Sequence, residues 1–196
     1  ERCRDGITGR LFEIWPDVGE TSGWLGGAGE SWERGPYYLD GLLPLAYTLR
    51  DRALIDRAQR FVEWTLKSQR DDGFFGPAGN DDWWPRMVMC KALMQAYSAR
   101  PDRRILRCLM RYFAYQYKTL PSRPLSGWGA ARAADNALPV LWLYNLTGRE
   151  FLPRLARMLL QQGLGWTRLM HAYPFGRDLK SALPWKTLQE GMNDPD

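Results

Sequence analysis

Hydrophobic positions recur along this chain at spacings of three and four. Three times the pattern runs out on a tyrosine followed by a charged or polar turn: Ala46-Tyr47-Thr48-Leu49-Arg50-Asp51, Ala96-Tyr97-Ser98-Ala99-Arg100-Pro101-Asp102 and Leu143-Tyr144-Asn145-Leu146-Thr147-Gly148. Tyr47, Tyr97 and Tyr144 are 50 and 47 residues apart. A repeat of that length built from helices predicts stacked or circled helical hairpins. The first hairpin is expected near 36–49 and 53–69, where Leu54, Ala58, Phe61, Val62 and Thr65 form the apolar stripe of the second helix. The next is expected near 85–99 and 102–118, and the third near 132–146 and 150–162. Pro36 and Pro85 suit first helical turns, where a missing amide hydrogen would have no partner anyway. Pro44 and Pro139 are expected to kink the first helices of their hairpins or to end their first turns. Residues 1–35 read as an irregular, Gly-rich lead-in, and residues 165–196, with Pro174, Pro184 and Pro195, lose the pattern.

The two helices of a hairpin differ in character. Met87, Val88, Cys90, Ala92, Leu93, Met94 and Ala96 leave almost no polar side, as in an inner helix, and so does the run from Ala137 to Tyr144. Ile105, Leu106, Leu109, Phe113 and Tyr117 form a one-sided stripe beside Arg103, Arg104, Arg107 and Arg111, as in an outer helix. This alternation predicts an all-α fold, an α/α toroid rather than a stacked solenoid. Three hairpins make half of a six-hairpin ring, so residues 1–196 are expected to be the N-terminal part of one larger barrel domain. The start at Glu1, with neither methionine nor a signal-like apolar block, agrees with a fragment or a processed form.

Composition narrows the function classes. Of 196 residues, 45% are hydrophobic and 25% charged, which suits a globular domain with a real core. No apolar run approaches the roughly 20 residues of a membrane span. The net charge of +5 comes mostly from arginines spaced along helix surfaces. No basic block is interleaved with aromatics, so nucleic acid is not expected as a partner. Cys3, Cys90 and Cys108 lack close spacing and read as buried thiols rather than a metal site or disulfide framework; no cofactor is expected. His171, the only histidine, lies outside the helical pattern and no Gly-x-Ser-x-Gly elbow accompanies it. Asn145-Leu146-Thr147 matches a glycosylation sequon at a helix end, where these residues are also common in turns.

Ten tryptophans are the outlier. Trp64 and Trp142 lie within helical patterns, but Trp24, Trp32, Trp83, Trp84 and Trp128 fall in Gly-rich or Pro-flanked segments, where apolar rings usually cover something. The segments leading into the inner helices carry Trp32, Glu33 and Arg34; then Asp82, Trp83, Trp84 and Arg86; then Trp128, Arg132, Asp135 and Asn136. An aromatic face packs on the C–H side of a sugar, while carboxylates and guanidinium forks take its hydroxyls. These residues are therefore the candidate carbohydrate-binding set: tryptophans to stack, Arg34, Arg86 and Arg132 to hold hydroxyls or a carboxylate, Asp82 and Asp135 to bind or polarise. Glu30, Glu33, Asp82 and Asp135 are the candidates for paired carboxylates, as glycoside hydrolysis uses. Ordinary structural roles stand beside these: Asp82, Ser31 or Asp135 as helix caps, Arg34 with Glu33 and Arg132 with Asp135 as ion pairs. A helical-repeat module that binds carbohydrate or protein without chemistry is the alternative. An α/α-toroid lyase or epimerase is disfavoured by the single histidine.

Gly29-Glu30-Ser31-Trp32-Glu33-Arg34-Gly35-Pro36-Tyr37-Tyr38-Leu39-Asp40-Gly41, Asp82-Trp83-Trp84-Pro85-Arg86-Met87-Val88-Met89 and Arg132-Ala133-Ala134-Asp135-Asn136 resemble the family 127 glycoside hydrolases, the β-L-arabinofuranosidase type, and more narrowly a bacterial branch of that family. The similarity runs from Arg10 to about Thr167. It implies an (α/α)6 barrel, normally followed by β-sandwich domains, acting on arabinofuranosides of plant-type glycans. In characterised members pocket histidines open inner helices at places matching residues 81–84 and 132–136, where this chain has Asp, Trp and Arg instead. Glu190-Gly191-Met192-Asn193 resembles the start of a fourth inner helix, with Glu190 where a histidine is usual. The family's cysteine nucleophile, zinc-binding cysteines and catalytic glutamates fall beyond Asp196, and Cys3, Cys90 and Cys108 match none of them. The resemblance thus implies no catalytic residue in this chain, zinc only in a C-terminal part, and an inactive fragment.

Overall fold

The computed structural model describes residues 2–171, and among these every regular element is helical. Helices α1 (Arg2–Asp5) and α2 (Ile7–Ile14) lead through 3₁₀ turns at Pro16–Val18 and Gly23–Leu25 into three hairpins. These are α3 (Arg34–Leu49) with α4 (Arg52–Lys67), α5 (Trp83–Ala99) with α6 (Arg103–Thr119), and, after the short α7 (Gly127–Ala131), α8 (Ala133–Thr147) with α9 (Phe151–Gln162). Helix α10 (Trp166–His171) follows. The Pro-containing stretch after it and the segment Glu190–Asn193 lie outside the described residues.

Local chemistry sets the helix ends. Asp51, Asp82 and Asp102 each cap the next helix, accepting from the amides of Leu54 (3.2 Å), Trp84 (3.1 Å) and Arg104 (2.8 Å). Helices α3 and α8 end on left-handed residues, Arg50 at φ +54° and Gly148 at φ +65°. Helices α3 and α5 begin two residues before the prolines expected to open them. Third place in a helix costs proline nothing, because the first four amides have no acceptor within the helix. Helices α3 and α8 also run on through Pro44 and Pro139. Each proline only withholds the amide that would have met the carbonyl four residues back, at Asp40 and at Asp135.

Helices α3, α5 and α8 stand side by side with α5 in the middle, while α4, α6 and α9 form an outer row. This is the partial α/α toroid expected from the alternation of helix character. Every residue from Trp83 to Cys90 is buried, as befits a rod with neighbours on most sides. Helix α6 buries Ile105, Leu109, Tyr112 and Phe113 and turns Arg103, Arg104, Arg107 and Arg111 to solvent. The repeat tyrosines tie elements together: the Tyr47 hydroxyl accepts from Gln59 at 2.9 Å across the first hairpin, and Tyr97 meets Trp142 edge-on at 5.5 Å between α5 and α8. Cys90 and Cys108 are buried in α5 and α6, and burial pushes the Cys108 thiol up to about 12; Cys3 is exposed.

Helix α2 corrects the irregular lead-in. Its Phe12 meets Phe61 edge-on at 6.4 Å, under the Arg57 guanidinium at 4.8 Å, and Arg57 also donates to the Gly9 carbonyl at 2.7 Å. An eight-residue helix with a glycine inside shows too few periods to be read from sequence, and its contacts come from elsewhere in the chain. Leu93 is fully buried in α5. Leu93→Ala is therefore expected to cost about 2–5 kcal/mol, measured as a drop in the urea midpoint at unchanged slope.

Candidate functional site

The segments entering the inner helices are irregular, and a buried guanidinium organises the middle one. Arg86 is 0% exposed. Its Nε donates to the Phe75 carbonyl at 2.8 Å, and Nη1 donates to Asn80 Oδ1 at 2.7 Å and to the Asp82 carbonyl at 2.9 Å. Nη2 donates to the carbonyls of Asn80 and Pro77. The group lies 4.2 Å from the Phe74 ring centre and 5.8 Å from that of Trp24. Desolvation lowers it to about 10, still charged at neutral pH. Gly76, at φ +101°, passes so close beneath Trp24 that a Cβ there would meet the indole at 2.8 Å. Arg86 thus fastens residues 75–82 to α5, and its donors are spent. It corrects the expectation that Arg86 holds a ligand's hydroxyls.

That loop presents Asp82 and Trp83 to a concavity of about 550 Å³, lined also by Trp32, Arg123 and Trp128. Asp82 Oδ1 accepts the Trp84 amide, and its Oδ2 accepts the Trp32 indole N–H at 2.8 Å. Trp32 is held from behind as well, because its carbonyl accepts the Trp24 indole N–H at 2.8 Å. Trp32 and Trp128 are half-buried and keep ring surface open at the wall. Trp83 is 3% exposed, its ring covered by the Arg123 guanidinium at 3.9 Å and packed against Phe74 and Tyr115. It supplies an edge of the wall but no free face. Arg123 is the residue that sequence reasoning missed. It comes from the α6–α7 connection, donates to the Asp81 carbonyl at 3.0 Å and faces the Asp81 carboxylate at 3.5 Å. Only its place between Pro121 and Pro124, just before Trp128, could have flagged it.

The other candidates lie around this concavity rather than on it. Trp84 is 2% exposed, gives its indole N–H to the Glu33 carboxylate and meets Tyr37 edge-on at 5.9 Å. Like Trp83, it has no face for a sugar, a correction caused by packing against its own chain. Trp24, another of the loop tryptophans, is fully buried core. Arg34 pairs with Asp17 and stacks over Trp15 at 5.2 Å, not with Glu33. Asn136 is fully buried and donates to Gln116 Oε1 at 2.8 Å. Arg132 and Asp135 are exposed and form no ion pair with each other. Of the four candidate carboxylates, only Asp82 lines the concavity. Glu30 lies just behind the wall: Oε1 accepts the amides of Trp32 (3.0 Å) and Arg34 (3.4 Å), while Oε2 is buried without a partner. Burial raises its carboxyl, against the lowering effect of those two amides.

A family model described as beta-L-arabinofuranosidase, GH127 catalytic domain, matches residues 33–170, and the chain belongs to that family. No curated protein and no solved structure matches the chain. Among the described residues no three His, Cys, Asp or Glu side chains group to hold a metal ion. No described helix is long and apolar enough to cross a membrane.

Two expectations follow from this geometry. Arg86→Leu leaves carbonyls at Phe75, Asn80 and Asp82 unpaired and is expected to cost about 3–5 kcal/mol in urea unfolding. Glu30 titrates higher in the folded chain than its ordinary 4.5, so its stabilising contribution is full below that pH and is lost as pH rises through the folded value. Comparing wild type with Glu30→Gln between pH 4 and 7 should show the wild-type advantage shrinking as pH rises.

Proposed function

We propose that the concavity between the entrances of α3, α5 and α7 forms one wall of the sugar site of a glycoside hydrolase. In this reading it cleaves terminal arabinofuranoside-type bonds in plant-type glycans, and residues 1–196 supply the N-terminal part of one (α/α)6 barrel. The observation that carries the reading is the clamp between Trp32 and Asp82. An indole and a carboxylate from different hairpins lock each other into the wall that also holds Trp128 and Arg123. Trp128 and Trp32 pack on the C–H faces of the sugar, Asp82 accepts a hydroxyl with its remaining lone pairs, and Arg123 donates. Holding these groups fixed before the ligand arrives removes much of the ordering cost of binding.

The reading assigns binding, not bond cleavage, to these side chains. Glycoside hydrolysis uses two carboxyl groups across the scissile bond. Asp82 is engaged through both oxygens with N–H donors, and its neighbour Asp81 faces Arg123. The chain alone is therefore expected to bind sugar without turnover, and release of nitrophenol from aryl arabinofuranosides would refute the second half of that statement. The other reading, a non-catalytic helical-repeat module, draws on the capping role of Asp82 and the burial of Trp83 and Trp84. Titration calorimetry with methyl β-L-arabinofuranoside separates them. Trp128→Ala is expected to weaken binding about three- to tenfold, with the unfolding midpoint nearly unchanged. Absence of any sugar binding by the wild-type chain would favour the module in its protein-binding form.

A further inference from the structure

The wall of the concavity rests on a carboxyl behind it. Glu30 Oε1 accepts the amides of Trp32 at 3.0 Å and of Arg34 at 3.4 Å. The Arg34 amide opens α3, whose capping position, Glu33, supplies no side-chain bond, so Glu30 takes that duty from upstream. Trp32 is thereby fixed at three points: its amide by Glu30, its carbonyl by the Trp24 indole N–H, and its own indole N–H by Asp82. The Glu30 anchor carries an unmet demand, because Oε2 is buried and has no hydrogen-bond partner. The charged groups acting on Glu30 are Arg34, at the head of α3, and Asp17, in the turn Pro16–Val18, and these two pair with each other. The turn Gly23–Leu25, whose Gly23 amide donates to the Glu30 carbonyl at 2.8 Å, carries no titratable side chain. A carboxylate here has no cation of its own to offset its burial. The neutral acid, with its proton on Oε2, escapes that cost and still accepts both amides through Oε1. Burial accordingly holds this carboxyl above its ordinary 4.5.

We infer that Glu30 is the positioning residue for the Trp32 ring, seating it in the wall as a neutral acid and loosening it on ionisation. Its effect on ligand binding rests on the reading of the concavity given above. When the proton leaves Oε2, the charge gains by turning outward to water, and the amides of Trp32 and Arg34 lose their shared acceptor. Trp32 then keeps its carbonyl and indole bonds but not the one that fixes its backbone at the entrance of α3. The wall therefore grips a sugar ring more firmly at acid than at neutral pH. The sign follows from burial: the seated form is complete below the ordinary 4.5 and is given up as pH rises through the higher folded value.

The test pairs calorimetric titration with NMR of the chain labelled at tryptophan nitrogen, the Trp32 signals being assigned by their loss in Trp32→Phe. Glu30→Gln keeps the acceptor and cannot ionise, so the ratio of wild-type to Glu30→Gln affinity for methyl β-L-arabinofuranoside cancels every other titrating group. That ratio is expected to fall about three- to tenfold as pH rises from acid to neutral, the effect of losing the bonds to two amides. Glu30→Ala, without the acceptor, should bind weakly at both ends of the range. In wild type the indole N–H signal of Trp32 should move with the same midpoint as its amide signal, and that shared step should be missing from Glu30→Gln. A ratio that stays constant with pH overturns the inference. So does an amide signal that moves while the indole stays still, since the ring would then be indifferent to Glu30. Failure of wild type to bind the glycoside at any pH overturns the sugar reading of the concavity. In that case an indole signal that still follows Glu30 upholds its hold on Trp32, and one that does not overturns this inference as well.

Discussion

A charged group buried without an ion-pair partner holds the site-bearing side of this fold in place. Taking a guanidinium out of water is expensive, and it is tolerated only when nearly every donor finds an oxygen. Arg86 meets that condition with oxygens drawn from Phe75, Pro77, Asn80 and Asp82, so the cost of its burial can be offset only when residues 75–82 adopt one path. That path puts Gly76 under Trp24 and fixes Asp82 at the head of α5. Without the loop, the entrances of α3 and α5 would lose the brace from Trp32 to Asp82.

From Asp82 the order passes outward through indole N–H groups. Trp24 donates to the Trp32 carbonyl, Trp32 to the Asp82 carboxylate, and Trp84 to the Glu33 carboxylate. The tryptophans of these segments therefore serve two purposes. Some bond through nitrogen and bury their faces, joining α3 to α5 as cross-braces. Trp32 and Trp128 keep part of a face open. A buried indole needs an acceptor, and for Trp32, Trp83 and Trp84 the acceptor comes from the neighbouring hairpin or the segment leading into it, so the clusters of different repeats become one unit. Rigidity of that kind suits a surface that must recognise a weakly held, highly hydrated ligand.

Much of the architecture was legible in advance. The stripe of α4 and α6 and the all-round apolarity of α5 gave inner and outer helices whose observed ends differ from expectation by about two residues, the usual uncertainty of helix termini. The capping role of Asp82 was legible too, because an aspartate ahead of a proline-marked start has a short-range reason to be there. Helix α2 was not legible, being too short to show a period and held by contacts with Phe61 and Arg57 far along the chain. The fates of Arg86 and Arg123 were equally hidden. Arg86 sits among Trp and Asp residues and Arg123 between two prolines, yet the first is entirely buried and the second lines the concavity.

The amino-acid sequence by itself determined which stretches are helical, which of them lie inside, and that aromatic and charged residues collect where inner helices begin. Those properties depend on periodicity and on neighbours within a turn or two, so local order is enough to state them. Only the tertiary structure decided which indoles show a face and which spend themselves on a bond, and which guanidiniums remain unspent. That choice turns on acceptors some 40 to 50 positions away, as between Trp32 and Asp82 or Trp84 and Glu33, and it exists only once the hairpins have packed.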